Sequence, residues 1–121
     1  MAPFNTSTDL ERVQGWAAAR GVDLRPCDLP RTGFVTDAAA GWLYRTDSGV
    51  AFLETFITNP AAPARERHRD IDEIGLALIE TARLLGAKRL VSMTTHRSIG
   101  RMMVRRGFTY TGPMHVLRLE V

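Results

Sequence analysis

Glu54 is the only ionisable residue in the run Val50-Ala-Phe-Leu-Glu-Thr-Phe-Ile57, which is apolar apart from Glu54 and Thr55. A carboxyl carried into a buried strand loses solvation, so its pKa rises toward neutrality and it becomes suited to acting as a general base. Its plainer uses are to pair with an arginine such as Arg45 or to reach water where a sheet opens. Farther along, Arg65, Arg67, His68 and Arg69 crowd into five residues ahead of Asp70. Side chains of this kind at the front of a helix bind phosphate together with the helix dipole. The alternative is a solvated first turn laced by pairs such as Arg69 with Glu73. His96, in Thr94-Thr-His-Arg97, is a polar contact or proton donor on one reading and a helix-capping loop residue on the other.

These groups need a frame. Val50–Ile57 alternates with apolar residues on both faces, Val50, Phe52 and Phe56 on one and Ala51, Leu53 and Ile57 on the other, the signature of a central strand covered on both sides. After a basic loop over Thr58–Arg69, Ile71, Ile74, Gly75, Leu78, Ala82 and Leu85 recur at helical steps, and Gly75 would let helix and sheet approach closely. A following strand at Arg89–Thr94 completes a crossover. That topology puts the loop, and any ligand site, at the carboxyl end of the sheet.

The remaining elements follow from local signals. Ser7 or Thr8 with Glu11 caps a first helix that carries Leu10, Val13, Trp16 and Ala17 and stops at Gly21. Val22–Thr32, with Pro26 and Pro30, reads as an extended connector. Gly33–Thr36 and Ala39–Arg45 are strands, and Thr46-Asp-Ser-Gly49 is a turn into the central strand, which makes a three-stranded antiparallel meander. Ser98–Arg106 is a short helix ending at Gly107. Phe108–Thr111 and Met114–Val121 are strand-like around Gly112-Pro113. The expected fold is one mixed α/β domain spanning residues 1–121, with the long helix on one face of the sheet and the first helix on the other or over an edge.

With 121 residues, 45% hydrophobic and 24% charged, the chain suits one globular domain. A net charge of +3 and a pI near 9.7, with Asp and Glu interspersed, do not by themselves call for nucleic acid, although a DNA-binding helix pair at Arg97–Arg106 stays open. The single Cys27 excludes an internal disulfide and a thiolate metal cluster. His68, His96 and His115 lack metal-ligand spacing, and no serine sits in a nucleophile elbow, so neither a metal site nor a triad is expected. Trp16, Trp42, Tyr44 and Phe34 read as core or interface. No apolar run spans a bilayer, and the start Met-Ala-Pro-Phe-Asn lacks signal-peptide character, so the reading is a cytosolic protein with no membrane partner.

One family resemblance is specific enough to state. Ile79-Glu-Thr-Ala-Arg-Leu-Leu-Gly-Ala-Lys-Arg-Leu-Val-Ser-Met93, followed by a short helix and Arg105-Arg-Gly-Phe108, resembles the second half of the GCN5-related N-acetyltransferase (GNAT) superfamily. From about Gly33 onward the chain is similar to short GNAT-like proteins of tailed bacteriophages. The resemblance implies a GNAT-like fold and acetyl transfer from acetyl-CoA to a small-molecule or protein amine. It also implies a cofactor site along Phe56, Ile57, Thr58, Arg65, Arg67, His68, Arg69 and Asp70, with Glu54 as base.

The chain departs from the family pattern in two places. No glycine precedes Gly75 in the segment where the family wraps a pyrophosphate, and the usual acidic Tyr of the last helix is replaced by Met103, which reads as core or as an apolar wall against the pantetheine arm. His96 falls where the family often has Asn and is a substitute proton donor on this view. These departures leave a second expectation open: a non-catalytic GNAT-fold protein serving as a virion component or binding a host factor.

Overall fold

Turn chemistry sets the antiparallel half of the sheet. The Thr36 hydroxyl accepts from the backbone N–H of Ala38 and Ala39, both at 3.0 Å, while Thr46 and Ser48 hydroxyls tie the next turn to the backbone of Val50. The computed structural model describes residues 1–113 and 117–121. Their elements are strand β1 (Ala2–Pro3), helix α1 (Thr6–Ala18), strands β2 (Gly33–Val35), β3 (Ala39–Arg45) and β4 (Val50–Thr58), helix α2 (Ala64–Leu84), strand β5 (Arg89–Val91) and helix α3 (Arg97–Arg105). The five strands form one sheet in sequence order, antiparallel except for the parallel pair β4–β5. The expected meander with a single parallel crossover is present, and β1 is an added edge strand. The connector is extended apart from a 3₁₀ turn at Pro26–Asp28.

Both faces are covered. On one, Ile74, Leu78 and Ala82 of α2 and Ile99, Met102 and Met103 of α3 bury Leu43, Ala51 and Leu53. On the other, Val13, Trp16 and Ala17 of α1 pack on Ala40, Trp42 and Ile57, with Phe4 edge-on to Trp42 at 5.1 Å between ring centres. The glycine that admits α2 to the sheet is Gly41: a Cβ there would lie 2.8 Å from the Phe56 ring and 3.0 Å from Cγ2 of Ile74. Gly75, expected in that role, instead faces Met102 of α3.

Three expectations are corrected. Helix α2 begins at Ala64, directly after Pro63, so the stretch Arg65–Asp70 is helical and the loop is only Asn59–Pro63. Helix α1 is capped by Asn5, whose Oδ1 accepts from the Ser7 N–H at 2.9 Å, ahead of the expected cap. Neither Phe108–Thr111 nor residues 117–121 forms a strand, and Leu117, Leu119 and Val121 are exposed. Met114, His115 and Val116 lie outside the described residues.

Candidate functional site

The site is built by an irregularity in β4. Ala40 pairs with Ile57 but Trp42 pairs with Glu54, so three steps on β4 oppose two on β3. The extra residue makes a bulge, with Thr55 at φ 59°, a left-handed conformation that costs a β-branched residue about 1–3 kcal/mol. The Thr55 hydroxyl is joined to the Tyr44 hydroxyl at 2.8 Å, and Tyr44 donates to the Asp28 carbonyl at 2.7 Å, so a three-membered chain holds the bulge. A bulge inverts the alternation beyond it. Phe56 therefore packs with Ala51 and Leu53 on the α2 face, and Ile57 crosses to the α1 face, contrary to the strict alternation expected from the sequence.

The bulge coincides with the end of the parallel ladder. Pairing with β5 stops at Phe52 opposite Val91, while β4 runs on for six residues to Thr58. Among the described residues no backbone hydrogen bond joins Leu53–Thr58 to the segment after β5. Glu54 lies just past the last paired position, directly opposite Trp42 and on the same face as Tyr44. Its Oε1 is buried with no hydrogen-bond partner among the described residues. Arg45, offered from the sequence as its partner, lies opposite Ala51 in the strand register and makes no ion pair with Glu54. Burial raises the Glu54 pKa above the ordinary carboxylate value. Tyr44 is raised too, first by its own burial and further by the Glu54 charge. The result is a carboxyl oxygen, shielded from water, beside a length of central strand that is paired on its β3 edge only.

At the carboxyl end of β4, Arg20 holds Thr58 through its hydroxyl at 2.7 Å and its carbonyl at 3.3 Å. Asn59 folds the loop: its Oδ1 accepts from Ala61 N–H, its carbonyl accepts from Ala62 N–H, and its amide nitrogen reaches the Asp37 carbonyl. The first helical bond of α2 runs from Arg67 N–H to the Pro63 carbonyl, and Pro63 offers no side-chain cap. The N–H groups of Ala64, Arg65 and Glu66 therefore point out of the helix start as anion donors.

The basic residues divide. Arg65 and His68 are exposed. Arg67 braces the loop by donating to the Ala62 carbonyl at 2.5 Å. Arg69 pairs with the buried Asp70 at 3.0 Å, not with Glu73. Arg69 and Asp70 also line a cavity of about 840 Å³ formed with β1, the start of α1 and the Thr36–Ala38 turn, which does not include Glu54. These two residues are thus turned away from the open length of β4. His96 is exposed at the position before α3; its side chain caps nothing, and its N–H donates to the Thr94 hydroxyl. Met103 is core, 3% exposed.

Tyr44 and Thr55 escaped the sequence reading as site residues. Tyr44 reads as core or interface until the β3–β4 register places it beside Glu54, and nothing in Glu-Thr-Phe announces a bulge. Among the described residues, no group of three or more His, Cys, Asp or Glu is arranged to hold a metal, and no helix is long and apolar enough to cross a membrane.

No protein-family model and no curated protein matches the sequence. Among solved structures, the chain is similar to a point mutant of TTHA1254 from Thermus thermophilus, with a TM-score of 0.73 and 12% identity over 98% of this chain and 95% of that one. The likeness extends over the whole fold.

Proposed function

We propose that this chain is a GNAT-fold N-acyltransferase that moves an acetyl group from acetyl-CoA to an amine. The observation that carries the reading is the buried Oε1 of Glu54, without a hydrogen-bond partner among the described residues, where β4 loses its β5 neighbour. When bound, acetyl-CoA supplies an activated thioester carbonyl. The chain's own part is threefold. The edge of Leu53–Thr58 that faces away from β3, beyond the β5 ladder, provides N–H and carbonyl groups along which an extended amide-bearing arm can lie. The N–H groups of Ala64, Arg65 and Glu66, with the Arg65 guanidinium, face a phosphate at the helix start. Glu54 takes the proton that the amine must shed as its nitrogen bonds to the carbonyl carbon and the C–S bond breaks.

The sequence-level roles narrow accordingly. Arg67 positions the loop, and Arg69 and Asp70 act elsewhere in the fold. His68 stays near the helix start, exposed to solvent. His96 is the available proton donor on the β5 side, Met103 supporting the wall from within the core.

The test is release of free CoA thiol from acetyl-CoA in the presence of a panel of primary amines. The expected result is amine-dependent release that falls about 100-fold or more in Glu54→Gln while CoA binding persists. CoA binding without release by any amine would favour the second reading, a non-catalytic GNAT-fold protein acting as a virion component or binding a host factor. That reading draws on the absence of glycine between Thr58 and Gly75 and on the burial of Met103 in the position of the family's acid.

A further inference from the structure

The modest net charge of +3 hides a strong segregation. Residues 81–119 contain eight Arg and Lys and no Asp or Glu, whereas the first 80 residues hold twelve acidic against eight basic side chains. Interspersion therefore fails for the last third of the chain, and the structure gives this excess a shape. Helix α3 turns Ile99, Met102 and Met103 into the core, which leaves Arg97, Arg101 and Arg105 on its outer side, all exposed. At four-residue steps these arginines rise about 6 Å from one to the next along the axis.

Among the described residues none of the three has a carboxylate within ion-pair distance. Arg106 is the contrast: it donates to both oxygens of Asp72 on α2 at 2.6 and 3.2 Å, which clamps the helix end to the body of the protein. The ridge is thus carried on a helix tied to α2 by that pair and, among the described residues, is left without counter-charge.

We propose that this arginine ridge binds the phosphodiester backbone of a nucleic acid. A small polyphosphate would be held in a concavity, and neither the 840 Å³ cavity nor a second one of about 50 Å³ is lined by any residue of α3. A membrane surface would want apolar side chains beside the cations, yet the apolar face of α3 is spent on the core, with Val104 alone half exposed. Evenly spaced guanidinium groups on a convex helix match a polymer with regularly repeating phosphates. The inference is independent of the transferase reading.

The experiment is fluorescence anisotropy of a labelled 20-base-pair DNA duplex and a 20-nucleotide RNA between 50 and 200 mM salt. Three phosphate contacts predict that affinity falls about 40-fold over that range for duplex and about 20-fold for single strand, and the arm with its predicted slope and the tighter binding identifies the ligand. Arg97→Gln/Arg101→Gln/Arg105→Gln is expected to flatten the salt dependence. Arg31→Gln/Arg45→Gln, which removes exposed charge elsewhere, is expected to leave it nearly intact. Should the triple variant fail to fold, the three single variants, each reducing the slope by about one contact, carry the same test.

The proposal is overturned by no binding at 50 mM salt, by equal losses in the two sets of variants, or by release of the nucleic acid with 1 mM CoA, which would assign the ridge to the cofactor. Binding to phosphatidylserine vesicles in place of either nucleic acid would overturn it as well.

Discussion

The two halves of β4 are made of similar residues and behave differently. In Val50–Phe52, Ala51 and Phe52 have a neighbour on each side, Arg45 and Tyr44 across on β3 and Leu90 and Val91 on β5, and Val50 pairs with Arg89, so this backbone is committed to the sheet. Glu54–Thr58 has β3 alone, and a bulge separates it from the first half. The first half is framework. The second carries a shielded carboxyl and unpaired backbone groups, and its irregular backbone is kept in place by Tyr44, Arg20 and Asn59. Strain and unsatisfied polarity collect where the strand leaves its partner, which is where a ligand has something to bind.

Substitutions break or sharpen this contrast. Leu53→Ala, at a fully buried position where the halves meet, is expected to cost about 2–5 kcal/mol through loss of burial and a residual cavity, read by urea unfolding. Gly41→Ala forces a methyl against Phe56 and Ile74 and should cost about 1–3 kcal/mol by overpacking; a neutral result would show that the second half of β4 yields easily. Tyr44→Phe removes the hydroxyl that secures Thr55 and should cost about 1 kcal/mol, with a larger effect on CoA binding than on unfolding.

Glu54→Gln has a signature in pH. Because the folded-state pKa of Glu54 is raised, the wild type holds its full stability from this group below the unfolded carboxyl value of about 4.3 and loses it as pH rises through the folded value. The variant should therefore melt above wild type at pH 8 and at the same temperature at pH 4. A pH-independent difference would mean that the carboxyl is solvated. The smallest effect is expected at Asp72→Asn, where the partly exposed pair with Arg106 contributes at most about 1 kcal/mol.

Much of the framework was legible because one periodicity dominated each segment. The strands Gly33–Thr36 and Ala39–Arg45, the helical stripe from Ile71 and the helix around Met102 needed only alternation or the three-and-four step. What escaped was fixed by partners, not pattern. β1 is two residues paired with Phe34 and Val35, too short to show alternation. The start of α2 was misplaced because Arg65–Asp70 is polar throughout and hides its helical period; Pro63 was the available signal. Leu117, Leu119 and Val121 alternate as a strand would, yet residues 117–121 pair with no described strand, so alternation alone was insufficient. In the site, Glu54 stood out as a charge in an apolar run. Thr55 and Tyr44 did not, since a bulge and a register are properties of two strands together. Arg69 and Asp70 shared a sequence neighbourhood with the proposed phosphate donors, but helical rotation turned them to another face.

The most direct test of a thioester site on the unpaired half of β4 is thermal melting with and without 1 mM acetyl-CoA, repeated in Glu54→Gln. A ligand bound at 100 times its Kd stabilises the fold by about 2.7 kcal/mol, so the account predicts a clear upward shift in both proteins. No shift at millimolar ligand in either would contradict it.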